Sequence, residues 1–507
     1  MWVRRIVVLC GWLGCVLPGC GGTEHPGPAP RSAVSAASHA AASRTEPDAA
    51  PWPRRAGSTI VERVAAGNRR LHPLAAERTL SDLMPSDETA KPASAPILQV
   101  DEARAAARGI RQLSGERLTL YTDLPADTEV GLLPEVVAQA FPQWCAYFGV
   151  DPARHAGWKL TGVLMKDKAR FLDTGLLPAS LPPFPHAFSW NDVCWVHEQA
   201  SPYYRRHLLL HEGTHAFCHT ILGGAGPPWY MEGMAELLGT HRWTNGRLEL
   251  NVMPARKEET PMWGRIKIIK DEIAAGRGWN LEAVLAYRPT PQFETEPYAW
   301  CWAATFLLDH EPRFQARFRQ LARLVRNADF NRRFRESIGA DWPLLLEEWQ
   351  LFVHDLEYGY DVARTALDLA PGKPLPAQGA TISVVADRGW QNSGIRLEAG
   401  VSYRLRASGR YQVGNQPQVW WCEPGGVSIR YYKGLPLGVL LAALRPDPAT
   451  EGAPSCFLRP SVLGLDGRLT PQQSCTLFLK INDSAAELAD NAGKLSVEVC
   501  REGAANP

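Results

Sequence analysis

The fold of this chain is decided by the stretch Leu208-Leu-Leu-His-Glu-Gly-Thr-His-Ala-Phe-Cys-His219. Its His211 and His215 are four residues apart, so on an α-helix both side chains project from the same face and can bind one metal ion. Glu212 lies between them, where a carboxylate can serve as a general base beside the metal rather than as a ligand. Because apolar residues precede and follow the two histidines, we expect this helix to be buried.

Downstream, the chain passes through a Gly- and Pro-rich turn at 223–228 into Trp229-Tyr-Met-Glu-Gly-Met-Ala-Glu236. A tetrahedral catalytic zinc needs three protein ligands and one open position. Glu232 is the best candidate for the third ligand, since the turn lets the chain reverse. Glu236, one helical turn later, is predicted to accept a hydrogen bond from a ligand histidine and so to fix its tautomer.

The two motifs together resemble the gluzincin metallopeptidases, the broad group that includes thermolysin and the aminopeptidase-N type. Their pattern is HExxH followed by a glutamate in an (N/W)xxEGxA-type helix. The resemblance implies an α+β zincin-like domain, with His211, His215 and Glu232 as ligands of Zn²⁺ and Glu212 as the catalytic base. The spacing is slightly shorter than in those two families, so the type of site is carried over and the substrate is not. The alternative is that HExxH is a chance feature of a structural helix.

Five further side chains are candidates for roles at this site. His219 and His241 could be additional ligands, although a place in a pocket or in the core is expected for both. Cys218 is expected to be packed or disulfide-bonded rather than bound to metal. Tyr298, at the start of an apolar helix, is the candidate donor to the oxyanion of the transition state, with core packing as the alternative. Tyr230 is the weaker candidate for that role.

Residues 1–20 have the pattern of a bacterial lipoprotein signal. Arg4 and Arg5 form a basic start, an apolar run follows, and Leu17-Pro-Gly-Cys20 resembles a lipobox. The pattern predicts a lipid anchor at Cys20 that contacts the membrane in the cell envelope, on the periplasmic or the surface-facing side. Residues 21–95, rich in Gly, Pro, Ala and Ser near their start, are expected to be a low-complexity tether with short helices. The alternative is an ordinary signal peptide cleaved elsewhere.

The number of cysteines and the net charge indicate which cellular compartment and which classes of partner to expect. Without Cys10, Cys15 and Cys20, two groups of four cysteines remain, which predicts disulfides within each half of the chain in an oxidising compartment. These are Cys145, Cys194, Cys218 and Cys301, and Cys422, Cys456, Cys475 and Cys500. The net charge is +1 and the basic residues are scattered, so no nucleic-acid partner is expected.

Residues 96–368 are predicted to form the zincin-like domain, with strands before the metal-binding helix and helices after it. The predicted strands are 117–123, 158–165 and 187–196, and the further helices are 100–112, 133–148, 281–286, 299–309, 314–326 and 342–356. From 375 to 507, short alternating apolar runs between turn residues predict an all-β sandwich. Its clearest strands are 382–386, 402–408, 477–481 and 495–499.

The sandwich region resembles the PA-IL-type galactophilic lectins, through Trp390-Gln-Asn-Ser-Gly-Ile-Arg-Leu-Glu-Ala-Gly400 and the closing segment 479–493. The resemblance implies Ca²⁺ and a glycan partner. The implied calcium ligands are the side chains of Asp483, Asp490 and Asn491 and the carbonyls of Val413 and Glu487. The insert 446–474 and an aspartate at 490, where the family has asparagine, depart from the pattern. The alternative is that Asp483 and Asn491 only shape a turn.

These patterns favour a lipid-anchored zinc metallopeptidase that acts on a peptide or protein substrate and carries a lectin-like sandwich. A competing hypothesis is a surface protein that binds glycan or cell-wall polymer and keeps a degenerate zincin scaffold. A third is a zinc hydrolase of a non-peptide amide, because the same metal and base serve either reaction.

Overall fold

A mixed five-stranded sheet forms the first part of the computed structural model, which describes residues 98–289, 294–447 and 453–503. Its strands are β1 (Arg111–Ser114), β2 (Leu118–Thr122), β3 (Leu160–Met165), β4 (Ala187–Trp190) and β5 (Val193–His197). The order across the sheet is β1-β2-β3-β5-β4. The central strands β2, β3 and β5 are parallel, and each edge strand is antiparallel to its neighbour.

Helices accompany this sheet along the chain and dominate from its last strand to residue 365. They are α1 (Glu102–Ala107), α2 (Thr128–Gly131), α3 (Leu133–Phe148), α4 (Pro202–Phe217), α5 (Pro228–Gly239), α6 (Arg265–Ala274), α7 (Leu281–Leu285), α8 (Glu296–His310), α9 (Gln315–Gln320), α10 (Phe330–Ile338), α11 (Trp342–Asp355) and α12 (Val362–Thr365). A π-helical turn, Cys218–Leu222, continues α4, and a hairpin of β6 (His241–Thr244) and β7 (Arg247–Leu250) follows α5. The buried helix α8 packs against α5 and α6.

The sheet has an apolar layer on each face, because successive side chains of a strand point to opposite sides. In β2, Leu118 and Leu120 join the buried cluster that includes α3 and α4, whereas Tyr121 joins a second cluster. The same alternation holds in β3 and β5, which send Leu160, Leu164, Cys194 and Val196 to the first cluster and Val163, Met165 and Trp195 to the second.

Most predicted elements of this region are confirmed, and two are wrong in part. The strand predicted over 187–196 is two antiparallel strands, β4 and β5, because the chain turns at Asn191, which has a φ of 54°. The helix predicted over 100–112 covers only α1, and Arg111–Ser114 is a strand. Gly109 has a φ of 75°, a left-handed conformation that ends the helix, after which the chain pairs with β2. Helices α6 and α10 were not predicted, although Ile266, Ile269 and Ile273 have helical spacing.

The C-terminal region is the predicted sandwich of two sheets. Its strands are β8 (Lys373–Pro374), β9 (Ala380–Val385), β10 (Gln391–Leu397), β11 (Tyr403–Ser408), β12 (Tyr411–Val413), β13 (Trp421–Cys422), β14 (Val427–Tyr432), β15 (Leu435–Leu437), β16 (Leu440–Pro446), β17 (Ser461–Val462), β18 (Asp466–Leu469), β19 (Cys475–Ile481), β20 (Asn491–Ala492) and β21 (Lys494–Arg501). One sheet has the order β17-β16-β19-β10-β8 and the other β18-β11-β21-β9. Apolar side chains of both sheets form a shared core.

Strand β19 is buried on both faces, which explains how the sandwich joins the helices. Leu477, Leu479 and Ile481 face the core of the sandwich, and Phe478 joins the cluster that contains α11. Polar contacts reinforce this junction, since Glu347 of α11 accepts hydrogen bonds from Arg445 Nε at 2.9 Å and Ser455 Oγ at 3.2 Å. The predicted domains 96–368 and 375–507 therefore meet in one buried apolar cluster and belong to one compact unit.

The predicted disulfides are absent from the described part of the chain, where all eight cysteines are free. Most are buried singly, as Cys194 is within β5 and Cys301 within α8, so they act as small core residues. No helix among the described residues is long and apolar enough to cross a membrane. The predicted signal, the lipidated Cys20 and the tether over 21–95 lie outside the described residues.

Candidate metal centre

Helix α4 brings the first two predicted ligands together. It starts at Pro202, after Ser201 caps it by accepting a hydrogen bond from Tyr204 N at 3.4 Å. His211 and His215 lie one turn apart on this buried helix, and their Nε2 atoms are 3.1 Å apart. The spacing of four residues therefore produces the expected convergence of two imidazoles.

Helix α5 supplies Glu232 after the chain reverses through the turn at 223–228, where Gly226 has a φ of 77°. Gly233, directly after this glutamate, lies against α8. A Cβ at that position would be 2.4 Å from Thr305 Cγ2 and 2.8 Å from Cys301 O. Thr305 Oγ1 also donates to Gly233 O at 3.0 Å. The glycine of the EGxA motif thus permits the close approach of two helices that holds Glu232 in place.

The three predicted ligand atoms form a nearly regular triangle. Oε2 of Glu232 lies 3.4 Å from Nε2 of His211 and 3.4 Å from Nε2 of His215. Zinc–ligand bonds of about 2.0–2.2 Å at tetrahedral angles would separate such atoms by roughly 3.3–3.6 Å. The same Oε2 is buried and has no hydrogen-bond partner within the described residues. The donor types and their separations therefore fit a zinc ion.

The charges at this triangle favour a cation. Burial opposes ionisation of Glu232, but the neighbouring His215 and His211 outweigh it and hold the pKa of the carboxyl at about 2. Burial also opposes protonation of His211, yet the neighbouring carboxylates of Glu232 and Glu236 hold its pKa well above the usual value. The surroundings thus stabilise positive charge between the rings and the carboxylate, as they would stabilise a metal ion.

Glu212, the predicted base, is buried on the same helix and forms no salt bridge among the described residues. Its charge contributes, after burial, to the raised pKa of Cys194 in β5. It also contributes to the raised pKa of Tyr298, whose largest cause is the charge of Glu232. Glu212 therefore lies close to the ligands with its carboxylate unpaired.

Glu236 lies on the far side of His211, as expected for a residue that orients a ligand. Its Oε1 is 3.4 Å from Nδ1 of His211. Sequence reasoning missed two neighbours of this carboxylate, Arg265 and His207. His207 could have been found because it is four residues before His211, on the same helical face.

Two tyrosines border the site and a third does not. Tyr298 is in the first turn of α8, and its ring centroid is 6.1 Å from that of His211. Tyr287 was not predicted, and the charge of Glu232 contributes, after burial, to its raised pKa. Tyr230 instead packs among aromatic rings, with centroid distances of 5.7 Å to Phe318 and 4.9 Å to Phe330.

The additional ligand candidates do not join the triangle of the described structure. His219 is exposed and lies in the π-helical turn Cys218–Leu222. His241 stacks on Tyr203 at a centroid distance of 4.5 Å, and its Nδ1 lies 2.8 Å from Gly239 O. Cys218 is buried and unpaired.

The predicted calcium residues come together at one corner of the sandwich. Asp483 Oδ2 accepts a hydrogen bond from Asn491 Nδ2 at 2.8 Å, and Val413 pairs with Asn491 between β12 and β20. Oδ1 of Asp490 and Oδ1 of Asn491 are buried without a partner among the described residues. The Glu487 carboxylate is bound by Arg430 at 2.6 and 2.7 Å, so only its carbonyl is available to a cation.

Comparisons with known proteins do not identify a family for this chain. No family model matches the chain, and no curated protein matches it. Among solved structures, a chain described as "EclA N-terminal domain; PllA-like lectin" is similar at 25% identity, over 24% of this chain and 95% of that chain. The TM-score of this match is 0.19.

Proposed function

We propose that this protein is a zinc-dependent hydrolase that cleaves peptide bonds. The observation that carries the proposal is the triangle of His211, His215 and Glu232, with edges of 3.1, 3.4 and 3.4 Å. Three protein ligands of this type leave the fourth position of a tetrahedral zinc ion open. Catalytic zinc sites have such an open position, whereas structural sites fill it with a fourth protein ligand. Glu212 follows His211 on the same helix and forms no salt bridge among the described residues, which leaves its carboxylate free to act as a base.

The roles of the side chains follow from their positions. Zinc, when bound, supplies Lewis-acid chemistry that polarises a carbonyl group and makes water more acidic. Glu212 takes a proton from the attacking water and passes it to the leaving amine. Tyr298 donates a hydrogen bond to the oxyanion that develops in the transition state.

A peptide substrate is supported by the edge of the sheet beside the site. Strand β4 is an edge strand within the described residues, and α4 packs against β4 and β5. An unpaired strand edge presents N–H and C=O groups that an extended peptide can pair with by strand addition. The helix that carries the metal ligands is therefore adjacent to a surface that can align a peptide backbone.

The deciding experiment compares the wild-type full chain with Glu212→Gln and Glu232→Ala. Metal content is measured by plasma mass spectrometry after dialysis, and turnover is measured with a library of quenched fluorescent peptides. We expect about one zinc per chain in the wild type and in Glu212→Gln, with turnover lost in the mutant by roughly 10²-fold or more. Glu232→Ala should lose the metal. A fully active Glu212→Gln protein would contradict the mechanism.

The other two hypotheses have distinct outcomes in the same experiment. A zinc hydrolase of a non-peptide amide would hold zinc and require Glu212 but cleave no peptide. A binding protein with a degenerate scaffold would fold without zinc, and its sandwich would bind glycans on an array. Envelope attachment through a lipid on Cys20 remains part of the proposal, and mass spectrometry of the N-terminal peptide tests it.

A second candidate function is binding of a divalent cation, with a glycan, at the corner of the sandwich. It is favoured by two buried oxygens, on Asp490 and Asn491, that have no partner in the described part of the chain. Carboxylate, amide and carbonyl oxygens are the ligands that Ca²⁺ prefers. Calcium should raise the melting temperature of the wild type and not that of Asp483→Asn/Asp490→Asn. An equal response in both proteins would exclude this site.

A further inference from the structure

Glu236 is held from several sides at once. Arg265 donates two hydrogen bonds to it, from Nε to Oε2 at 2.9 Å and from Nη2 to Oε1 at 2.7 Å. Nε2 of His207 lies 3.4 Å from Oε2, while Nδ1 of His211 lies 3.4 Å from Oε1. The Glu236 side chain is 1% exposed, so protein groups rather than water set its orientation.

Arginine at position 265 has a geometric advantage that lysine lacks. Its planar guanidinium meets both carboxylate oxygens in one plane, whereas an ammonium group provides a point charge without a preferred plane. Arg265 is itself buried, and its Nη1 donates to Trp263 O at 3.2 Å. The guanidinium is therefore fixed to the start of α6 on one side and to Glu236 on the other.

His207 closes the remaining side of the carboxylate. Its ring is fully buried and parallel to that of Tyr204, with centroids 5.5 Å apart and an interplanar angle of 8°. A Cβ at Gly239 would lie 3.1 Å from His207 Cε1, so α5 also packs closely against this ring. With His207 and Arg265 in place, Glu236 has little room to turn away from His211.

The orientation of Glu236 determines which nitrogen of His211 can bind a metal. An imidazole that donates from Nδ1 to a carboxylate carries its lone pair on Nε2. That Nε2 lies 3.1 Å from Nε2 of His215 and 3.4 Å from Glu232, at the triangle. A Glu236 that rotated freely would leave the tautomer and the ring angle of His211 unset.

We propose that Arg265 is a positioning residue of the metal centre, which acts through Glu236 to orient His211. This inference depends on the proposed zinc site, which it deepens. It predicts that the guanidinium contributes to metal affinity although it is not a ligand, and that its planar shape matters as well as its charge.

The test measures zinc affinity of the full chain by competition with a chromophoric chelator, together with the visible spectrum of the Co²⁺-substituted protein. The variants are Arg265→Gln and Arg265→Lys. The matched control is Arg205→Gln, since Arg205 is also buried, on α4, and donates to both oxygens of Glu198, with Nε at 2.8 Å. Far-ultraviolet circular dichroism identifies any variant that does not fold.

We expect Arg265→Gln to weaken zinc binding by roughly 10- to 100-fold and to alter the Co²⁺ spectrum. Arg265→Lys should fold and show an intermediate loss, and Arg205→Gln should stay within about twofold of the wild type. Unchanged affinity in a folded Arg265→Lys or Arg265→Gln protein would overturn the inference, as would an equal loss in Arg205→Gln. Zinc affinity that depends on Arg265 in a protein without turnover would support it while contradicting the proposed hydrolase. A wild type without zinc would overturn both.

Discussion

The ring of Tyr298 lies 6.1 Å from the ring of His211, measured between centroids, at the first turn of α8. If its hydroxyl donates to the oxyanion, Tyr298→Phe should lower kcat by roughly 10²- to 10³-fold. KM and zinc content should change little, because the ring is kept. Steady-state kinetics on the best library peptide provide the measurement. Tyr230→Phe, in the aromatic core, is the control, and similar kcat values for the two variants would assign Tyr298 to packing alone.

Gly233 is predicted to tolerate no side chain. Gly233→Ala would place a Cβ 2.4 Å from Thr305 Cγ2, so the overpacked contact between α5 and α8 should destabilise the protein by about 1–3 kcal/mol. Glu232 is the preceding residue, and zinc affinity should fall as well. Urea unfolding measures the first effect and chelator competition the second. Gly131→Ala, where an added Cβ meets nothing within 4 Å, should have neither effect.

The buried Glu348 predicts a dependence of stability on pH. Burial and the nearby charge of Glu311 raise the pKa of Glu348 from its ordinary value of 4.5 to about 8. Because the folded state holds this proton more tightly, the stabilisation is complete below about pH 4.5 and is lost as the pH rises through 8. The free energy of unfolding should thus decrease by up to about 1.4 kcal/mol per pH unit in this window.

Glu348→Gln should remove this pH-dependent part of the free energy of unfolding. The mutant should therefore exceed the wild type in stability at pH 8 and match it near pH 4.5. Oε1 accepts a hydrogen bond from Leu367 N at 2.8 Å, which a glutamine oxygen can preserve. Urea unfolding across this pH range gives the comparison. Glu336→Gln, at an exposed position, should leave the wild-type profile unchanged, and parallel profiles for wild type and Glu348→Gln would refute the assignment.

The junction between helices and sandwich predicts that both parts unfold together. Leu441 of β16 is 3% exposed within the shared cluster, and its partner Val462 of β17 is 46% exposed. Leu441→Asp buries an unpaired charge and should lower both the melting temperature and the zinc content. Val462→Asp should change neither. A Leu441→Asp protein that loses only the sandwich would show that the helices fold independently.

The sequence was sufficient to predict features that depend only on local helix and strand patterns. His211 and His215 converge because of helical spacing, and the helix predicted over 133–148 ends before Gly149, which has a φ of 67°. The alternating runs predicted over 402–408 and 495–499 form strands β11 and β21. The predicted ligands and Glu236 also come together in the structure. Whether they bind zinc is a question for the metal assay.

Other features depend on distant contacts that no local pattern contains. Arg265 meets Glu236 because α6 packs on α8, the helix that also packs on α5. Tyr287 follows α7, and the charge of Glu232 contributes to its raised pKa. The disulfide prediction failed because the even numbers of cysteines reflect separate core positions rather than pairs. The boundary predicted between residues 368 and 375 does not divide the apolar core, because Phe478 of β19 packs in the cluster that contains α11.

The shared core has a consequence for any polymer that the sandwich retains. Since Phe478 and Leu441 anchor the sandwich to the helices, the cation site proposed at its corner would be held in a constant position relative to Glu212. The two sites would together set the length of the product. A polymer bound at the corner would be cleaved at a set number of units from the bound position. Cleavage of a polymer with a repeating unit would then give products of mostly one length.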